Sequence, residues 1–146
     1  MKTQNIYSGN KCIRDVSGAS AVEFAMIAPV LILMIFGIFS FGYLFGVYNG
    51  VQQLSAEAAR TTVAGLSDVE RDQLARAFIA SSVKSYSFLD PKKLQISTGP
   101  MVGGATGFQV SLNYDLTGSF IYEFTNSLGL PKPNVQRTSV VQRGGY

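Results

Sequence analysis

Gly18-Ala19-Ser20-Ala21-Val22-Glu23-Phe24 leads into an apolar run that carries no charged residue from Phe24 to Tyr48. About 20 apolar residues suffice to cross the hydrocarbon core of a bilayer, so this run predicts a membrane-spanning helix over about 24–48. Glu23 stands at its edge. An ionised acid carried into hydrocarbon costs about 2.5–3.5 kcal/mol or more without a partner, which makes it a functional-site candidate. If the chain were cut after Gly18, the new amine on Ala19 would lie one helical turn from Glu23, or within reach of the Glu23 of a neighbouring subunit. Lys2, Lys11 and Arg14 cluster before the run, whereas Arg60 beyond it faces Glu57 and Asp68. The positive-inside rule then predicts a single-pass protein of the cytoplasmic membrane, with a cytoplasmic N-terminus and an extracytoplasmic C-terminal part.

Working outward, residues 1–18 read as a polar leader. Beyond the span, Val47, Val51, Leu54 and Ala58 recur at helical spacing, with Gln52, Gln53, Glu57 and Arg60 on the other faces. One helix over 19–65 is expected, stopped by Gly65 as a C-terminal cap. Gly42, Gly46 and Gly50 form two overlapping G-x-x-x-G steps, the spacing at which small residues let two membrane helices approach, and they are expected to form a packing face for a partner helix.

Ser67-Asp68-Val69-Glu70 has the form of a capping box, and Leu74, Ala75, Phe78, Ile79, Val83 and Tyr86 then follow one helical face. Phe108, Val110, Leu112, Tyr114 and Leu116 alternate with polar residues, a half-buried strand. Leu94 and Ile96 suggest another strand, as does the segment from Val135 to Gln142, expected at a sheet edge. Phe120 to Leu128 reads as a short helix stopped by Gly129. The expected fold is α+β. A long N-terminal transmembrane helix precedes a small domain, 66–146, with a second helix and an antiparallel sheet of about three strands.

The composition narrows the chemistry. The chain has one cysteine, Cys12, and no histidine, so an intrachain disulfide and the usual histidine-based triads and zinc sites are excluded. Ser81-Ser82-Val83-Lys84 matches S-x-x-K, but its companion motifs are absent and a solvated helix face accounts for it. Asp68, Glu70 and Asp72 open a helix, where acids offset the macrodipole. No catalytic residue, metal ligand, cofactor or small-molecule substrate is expected, and the protein is not expected to be an enzyme. The net charge of +3 falls close to neutral once the leader is set aside, and no basic patch interleaved with aromatics suggests a nucleic acid partner.

A glycine, four small or apolar residues, a glutamate and an unbroken apolar helix together resemble the processing site of type IV pilin-like proteins. The resemblance implies that a prepilin peptidase cleaves between Gly18 and Ala19, and that Glu23 neutralises the mature N-terminus during assembly. Within that group the chain is similar to the TadE-like pseudopilins of the tight-adherence, or Flp, pilus system. Ala-Val-Glu-Phe-Ala at 21–25, Pro29, and Gln52 to Arg60 with its Ala58-Ala59-Arg60 ending carry this likeness, and the β-rich tail around Val135-Gln136-Arg137-Thr138 carries it more weakly. It implies a minor pilin or pseudopilin acting in pilus biogenesis and surface adhesion. The implied partners are the membrane, the prepilin peptidase, other pilins and the assembly machinery. A pseudopilin of the general secretion type usually begins with Phe, where Ala19 stands here. The contrasting expectation is a signal-anchored membrane protein with an intact N-terminus and an external ligand-binding domain.

Overall fold

A computed structural model of the protein describes residues 16–101, 107–131 and 133–142. The expected leader lies outside the described residues as far as position 15, and Cys12 lies outside them too. The chain divides into two compact units, Met1–Gly37 and Ile38–Tyr146. Helix α1, Val16–Thr61, contributes to both and is continuous through Pro29.

Within the first unit the described part of α1 is a helix without a covered face. Phe24, Met26, Ile27 and Val30 are all exposed, Met26 by 75%. The most apolar window of the helix has a mean hydropathy of 2.5, and only 6% of it is buried. A helix of that composition in the core of a soluble protein would be covered, and an apolar surface this extensive is not stable against water. Its length and composition are those of a single-pass membrane anchor.

The second unit is built on the other half of α1. Val47, Val51, Leu54 and Ala58, spaced to one face, are each fully buried. Against them pack α2 (Asp68–Ser82) through Ala75 and Ile79, the following 3-10 turn through Val83, and a three-stranded antiparallel sheet. The strands are β1 (Leu94–Pro100), β2 (Gly107–Tyr114) and β3 (Val135–Gln142), in the order β1-β2-β3. Leu94 and Val135 both pair with Tyr114, while Pro100 and Val141 pair with Phe108. A short helix, α3 (Phe120–Ser127), connects β2 to β3 and buries Ile121 and Thr125. The α+β architecture expected from the sequence is therefore present.

Local chemistry explains the boundaries. Ser67 Oγ accepts the Glu70 amide at 3.2 Å, and Glu70 Oε2 accepts the Leu66 amide at 2.8 Å, one residue outside the usual reciprocal box. Ser119 caps α3 by accepting the Tyr122 amide at 3.4 Å, and Gly129 stops it with φ of 66°.

Gly65 acts differently from expectation. Helix α1 ends at Thr61 and passes through a 3-10 turn, Thr62–Ala64, and Gly65 has φ of −76°, which any residue can adopt. Its side-chain-free backbone is needed for space instead. A Cβ there would lie 2.6 Å from Arg71 Cγ and 3.0 Å from the Arg71 amide nitrogen. Arg71 Nε donates to the Gly65 carbonyl at 3.0 Å, so the turn is closed onto α2 by a side chain seated over the glycine.

The alternation of β2 is present on its inner face, where Phe108, Val110, Leu112 and Tyr114 are buried. Its outer face is half-covered rather than open, because β2 is the central strand and has a neighbour on each side. Thr98 of β1 donates a hydrogen bond to Asp72 of α2, and Arg76 Nε donates to the same carboxylate oxygen at 2.7 Å. The Thr98 hydroxyl, opposed by burial and aided by Arg76, holds the Asp72 carboxyl below its usual value of 3.8. A depressed folded value means stability that is present above the ordinary aspartate pKa and is lost as pH falls through the folded one. The unfolding midpoint of the detergent-solubilised protein should therefore drop on acidification below about 3.8, and Asp72→Asn should remove part of that acid dependence.

Candidate functional site

The candidate site is the opening of α1, built from Gly18, Ala19 and Glu23. The described part of α1 starts at Val16, and Gly18 lies within the helix. Glycine costs about 1 kcal/mol relative to alanine in a helix, so Gly18 weakens the helix locally. Gly18, Ala19 and Glu23 are exposed, and a Cβ built on Gly18 meets nothing within 4 Å. The backbone at Gly18 is thus open to close approach. Ala19 and Glu23 stand four residues apart, one above the other on a face of α1.

Gly42, Gly46 and Gly50 are arranged otherwise than a free packing face. A Cβ on Gly46 would lie 3.0 Å from the Phe88 ring, and one on Gly50 would lie 3.4 Å from Leu89 and 3.5 Å from Tyr86. The loop after α2 therefore occupies the groove at these two glycines, within the same chain. At Gly42 nothing lies within 4 Å. The physical reason is the second unit itself: it needs a flat strip on α1 where residues 86–89 can lie close to the helix backbone.

That loop is fastened by β2. The buried Tyr114 hydroxyl accepts the Asp90 amide at 3.0 Å and donates to the Phe88 carbonyl at 3.5 Å. Tyr43 meets Phe88 edge to face at 6.2 Å, and Tyr86 Oη donates to Glu57 at 3.2 Å. Burial, with the Glu57 charge adding to it, raises the Tyr86 phenol above its usual value. The expected span to Tyr48 consequently overlaps the core of the second unit. From Ser40, which is 1% exposed, one side of α1 is taken by the domain, while Phe41 and Phe45 remain exposed on the other.

Sequence reasoning missed the polar face of β3. Register places Val135, Arg137, Ser139 and Val141 toward the core alongside Tyr114, Leu112, Val110 and Phe108 of β2. The Arg137 guanidinium lies over the Tyr48 ring, 4.5 Å from its centre, and Ser139 Oγ lies 2.9 Å from Ser55 Oγ. Tyr48 Oη donates to the Asn134 carbonyl at 2.7 Å. These contacts join β3 to α1 at positions where hydrophobic alternation gives no signal. Ser81, singled out beside Lys84, donates to the Phe78 carbonyl of its own helix at 2.9 Å. Among the described residues, no three His, Cys, Asp or Glu side chains converge.

The fold and this segment define a helix-anchored α+β protein whose N-terminal helix carries a glycine and a glutamate at pilin-like spacing. The TadE-like protein family model matches residues 18–60, which is nearly the whole of α1 from the candidate site onward. The likeness read from Gly18, Glu23, Pro29 and the Ala58-Ala59-Arg60 ending is thereby shown over that helix. Residues 61–146 lie outside the match. No curated protein and no solved structure matches the chain.

The glycines order themselves into a test. Gly65→Ala should destabilise the protein by about 1–3 kcal/mol, because backbone atoms of Arg71 must move. Gly46→Ala should cost less, since the exposed Phe88 ring can yield. Gly42→Ala should be neutral or stabilising by up to about 1 kcal/mol, through helix propensity alone. Chemical unfolding of the three variants in detergent gives the ranking directly.

Proposed function

We propose that the protein is a pilin-like assembly subunit of a tight-adherence pilus system, cut after Gly18 by a prepilin peptidase and acting through helix packing rather than catalysis. The observation that carries this reading is the match of residues 18–60 to the TadE-like family, with Gly18 and Glu23 both open on that helix. An endopeptidase must bring its own groups close to the scissile backbone, and Gly18 presents no side chain against it. Removal of the leader converts the Ala19 nitrogen from an amide into a cationic amine.

Glu23 then has a partner of opposite charge. In hydrocarbon, the pairing offsets a cost of about 2.5–3.5 kcal/mol or more for the bare carboxylate. The amine of one subunit and the carboxylate of a neighbouring one pair only at a particular stagger, so every other axial register leaves a desolvated charge unmatched. The carboxylate sets register and takes no part in bond making. The N-terminus is cytoplasmic and the α+β domain extracytoplasmic in this reading, consistent with the basic residues at Lys2, Lys11 and Arg14.

Intact mass of the membrane-extracted protein, from cells with an active prepilin peptidase, tests the proposal. A chain beginning at Ala19 supports it. One beginning at Met1 removes it and leaves a signal-anchored protein. Gly18→Val should accumulate as precursor, whereas Glu23→Ala should be processed yet fail to assemble; normal piliation with Glu23→Ala would refute the role of the carboxylate.

A further inference from the structure

Both ends of the segment that contains α3 attach beside the point where α1 enters the second unit. Gly118 and Ser119 line a shallow pocket with Tyr43, Phe88 and Lys93, and Asn134 accepts the Tyr48 hydroxyl. From there β3 follows α1 away, reaching Ser55 at Ser139. The pairing of Leu94 and Val135 with Tyr114 puts the start of β1, the end of β2 and the 86–93 loop at the same end as α3. The far end, with Gly65, Pro100 and Gly107, is the other pole of this unit.

The entry end carries exposed apolar side chains at its surface. Phe88 and Phe120 are each 54% exposed, Leu128 46% and Leu130 48%. Helix α3 turns Ile121 and Thr125 inward, and Phe120, Phe124 and Leu128, at spacings of four, form a second apolar stripe. Phe120 and Phe124 stack at 6.0 Å. A short helix on a water-facing surface would carry polar residues there. Phe41 and Phe45, on the side of α1 turned away from the domain, are exposed along the same stretch of the helix.

We infer that α3 and the Phe88 loop are an interfacial anchor, with Phe88, Phe120, Phe124 and Leu128 seated at the headgroup and upper acyl level of the bilayer that α1 crosses. The inference rests on α1 being the membrane anchor. The occupant follows from continuity: the exposed apolar side chains of α1 run up to Phe45, and the α3 surface begins beside Tyr43. Aromatic side chains concentrate at such interfaces, and an amphipathic helix lying there sinks its apolar face by roughly 5–10 Å. Charge says which lipids are needed. Among the described residues Lys92 and Lys93 share this end with Asp90, Asp115 and Glu123, so their charges do not single out anionic headgroups and zwitterionic lipid is the probe to use. The apolar side chains at the opposite pole, Leu66 and Val69, have no such continuity with the span.

The chain contains no tryptophan, so single introduced tryptophans report position without background. Leu33→Trp, Leu66→Trp, Phe120→Trp and Leu128→Trp in the full-length protein are reconstituted into phosphatidylcholine vesicles brominated either high or deep on the acyl chains. Leu33→Trp should be quenched most by the deep bromines. Phe120→Trp and Leu128→Trp should be quenched several-fold more than Leu66→Trp by the shallow ones, and both should resist iodide. Quenching at 120 and 128 no greater than at 66 overturns the inference, and so does resistance to iodide without lipid quenching, which would mean cover by protein. If Leu33→Trp is not quenched either, the membrane anchor itself fails and the inference falls with it; quenching at 33 alone rejects only the interfacial anchor. The pair of positions on α3 guards against one variant misfolding.

Discussion

The second unit depends on one stripe of α1. Val47, Val51, Leu54 and Ala58 are the wall against which α2, the sheet and the short helix all close, and each is fully buried. A fully covered Val or Leu contributes about 1.5–3 kcal/mol by leaving water, so this stripe supplies a large share of what a unit of this size can gather. The unit has no disulfide to compensate for its loss, since Cys12 is the sole cysteine. The anchor helix is thus also a structural member of the domain it carries.

That double use explains the glycines and the loop that covers them. A domain wrapped on a helix must bring one irregular segment across the helix surface, and irregular backbone lies closest where side chains are smallest. Gly46 and Gly50 supply the strip, Phe88 and Leu89 fill it, and Tyr114 hydrogen-bonds both flanks of the loop from the end of β2. The same tyrosine pairs across the sheet with Leu94 and Val135. Sheet, loop and helix are therefore joined at one buried side chain, 4% exposed, whose hydroxyl is paired with backbone.

Regular periodicity was the legible part of this chain. The α1 stripe, the α2 face, the β2 alternation and the Gly129 stop could all be read because burial repeats at 3.6 or at 2 and because a positive φ selects glycine. What could not be read depends on pairing between distant segments. Arg137 and Ser139 face inward on β3 although both are polar, because register with Leu112 and Val110 puts them there and Tyr48 and Ser55 of α1 receive them. Gly65 looked like a left-handed cap and is a close-approach site instead, since local sequence does not reveal that Arg71 folds back over it. The glycine triplet has the spacing of a membrane dimer motif, and its last two members, Gly46 and Gly50, meet a later segment of their own chain, which spacing alone cannot show. The candidate site is read differently: Gly18 and Glu23 belong to one short stretch of helix, and their spacing needs no pairing between distant segments.

Glu23 is the residue that the fold of the chain does not account for. Among the described residues, ion pairs join Arg71 to Asp68 and Arg76 to Asp72, both within α2, and the second lies near solvent, where such pairs contribute little. Glu23 is exposed on α1. An acid held on the open surface of an apolar helix is a standing cost once that helix enters lipid, and nothing in the packing of α2, α3 or the sheet would change if it were apolar. In the pilin-like reading proposed above, its compensation is the amine made at Ala19 by cleavage, its own or a neighbour's, and the carboxylate is then matched only where two such helices meet in register.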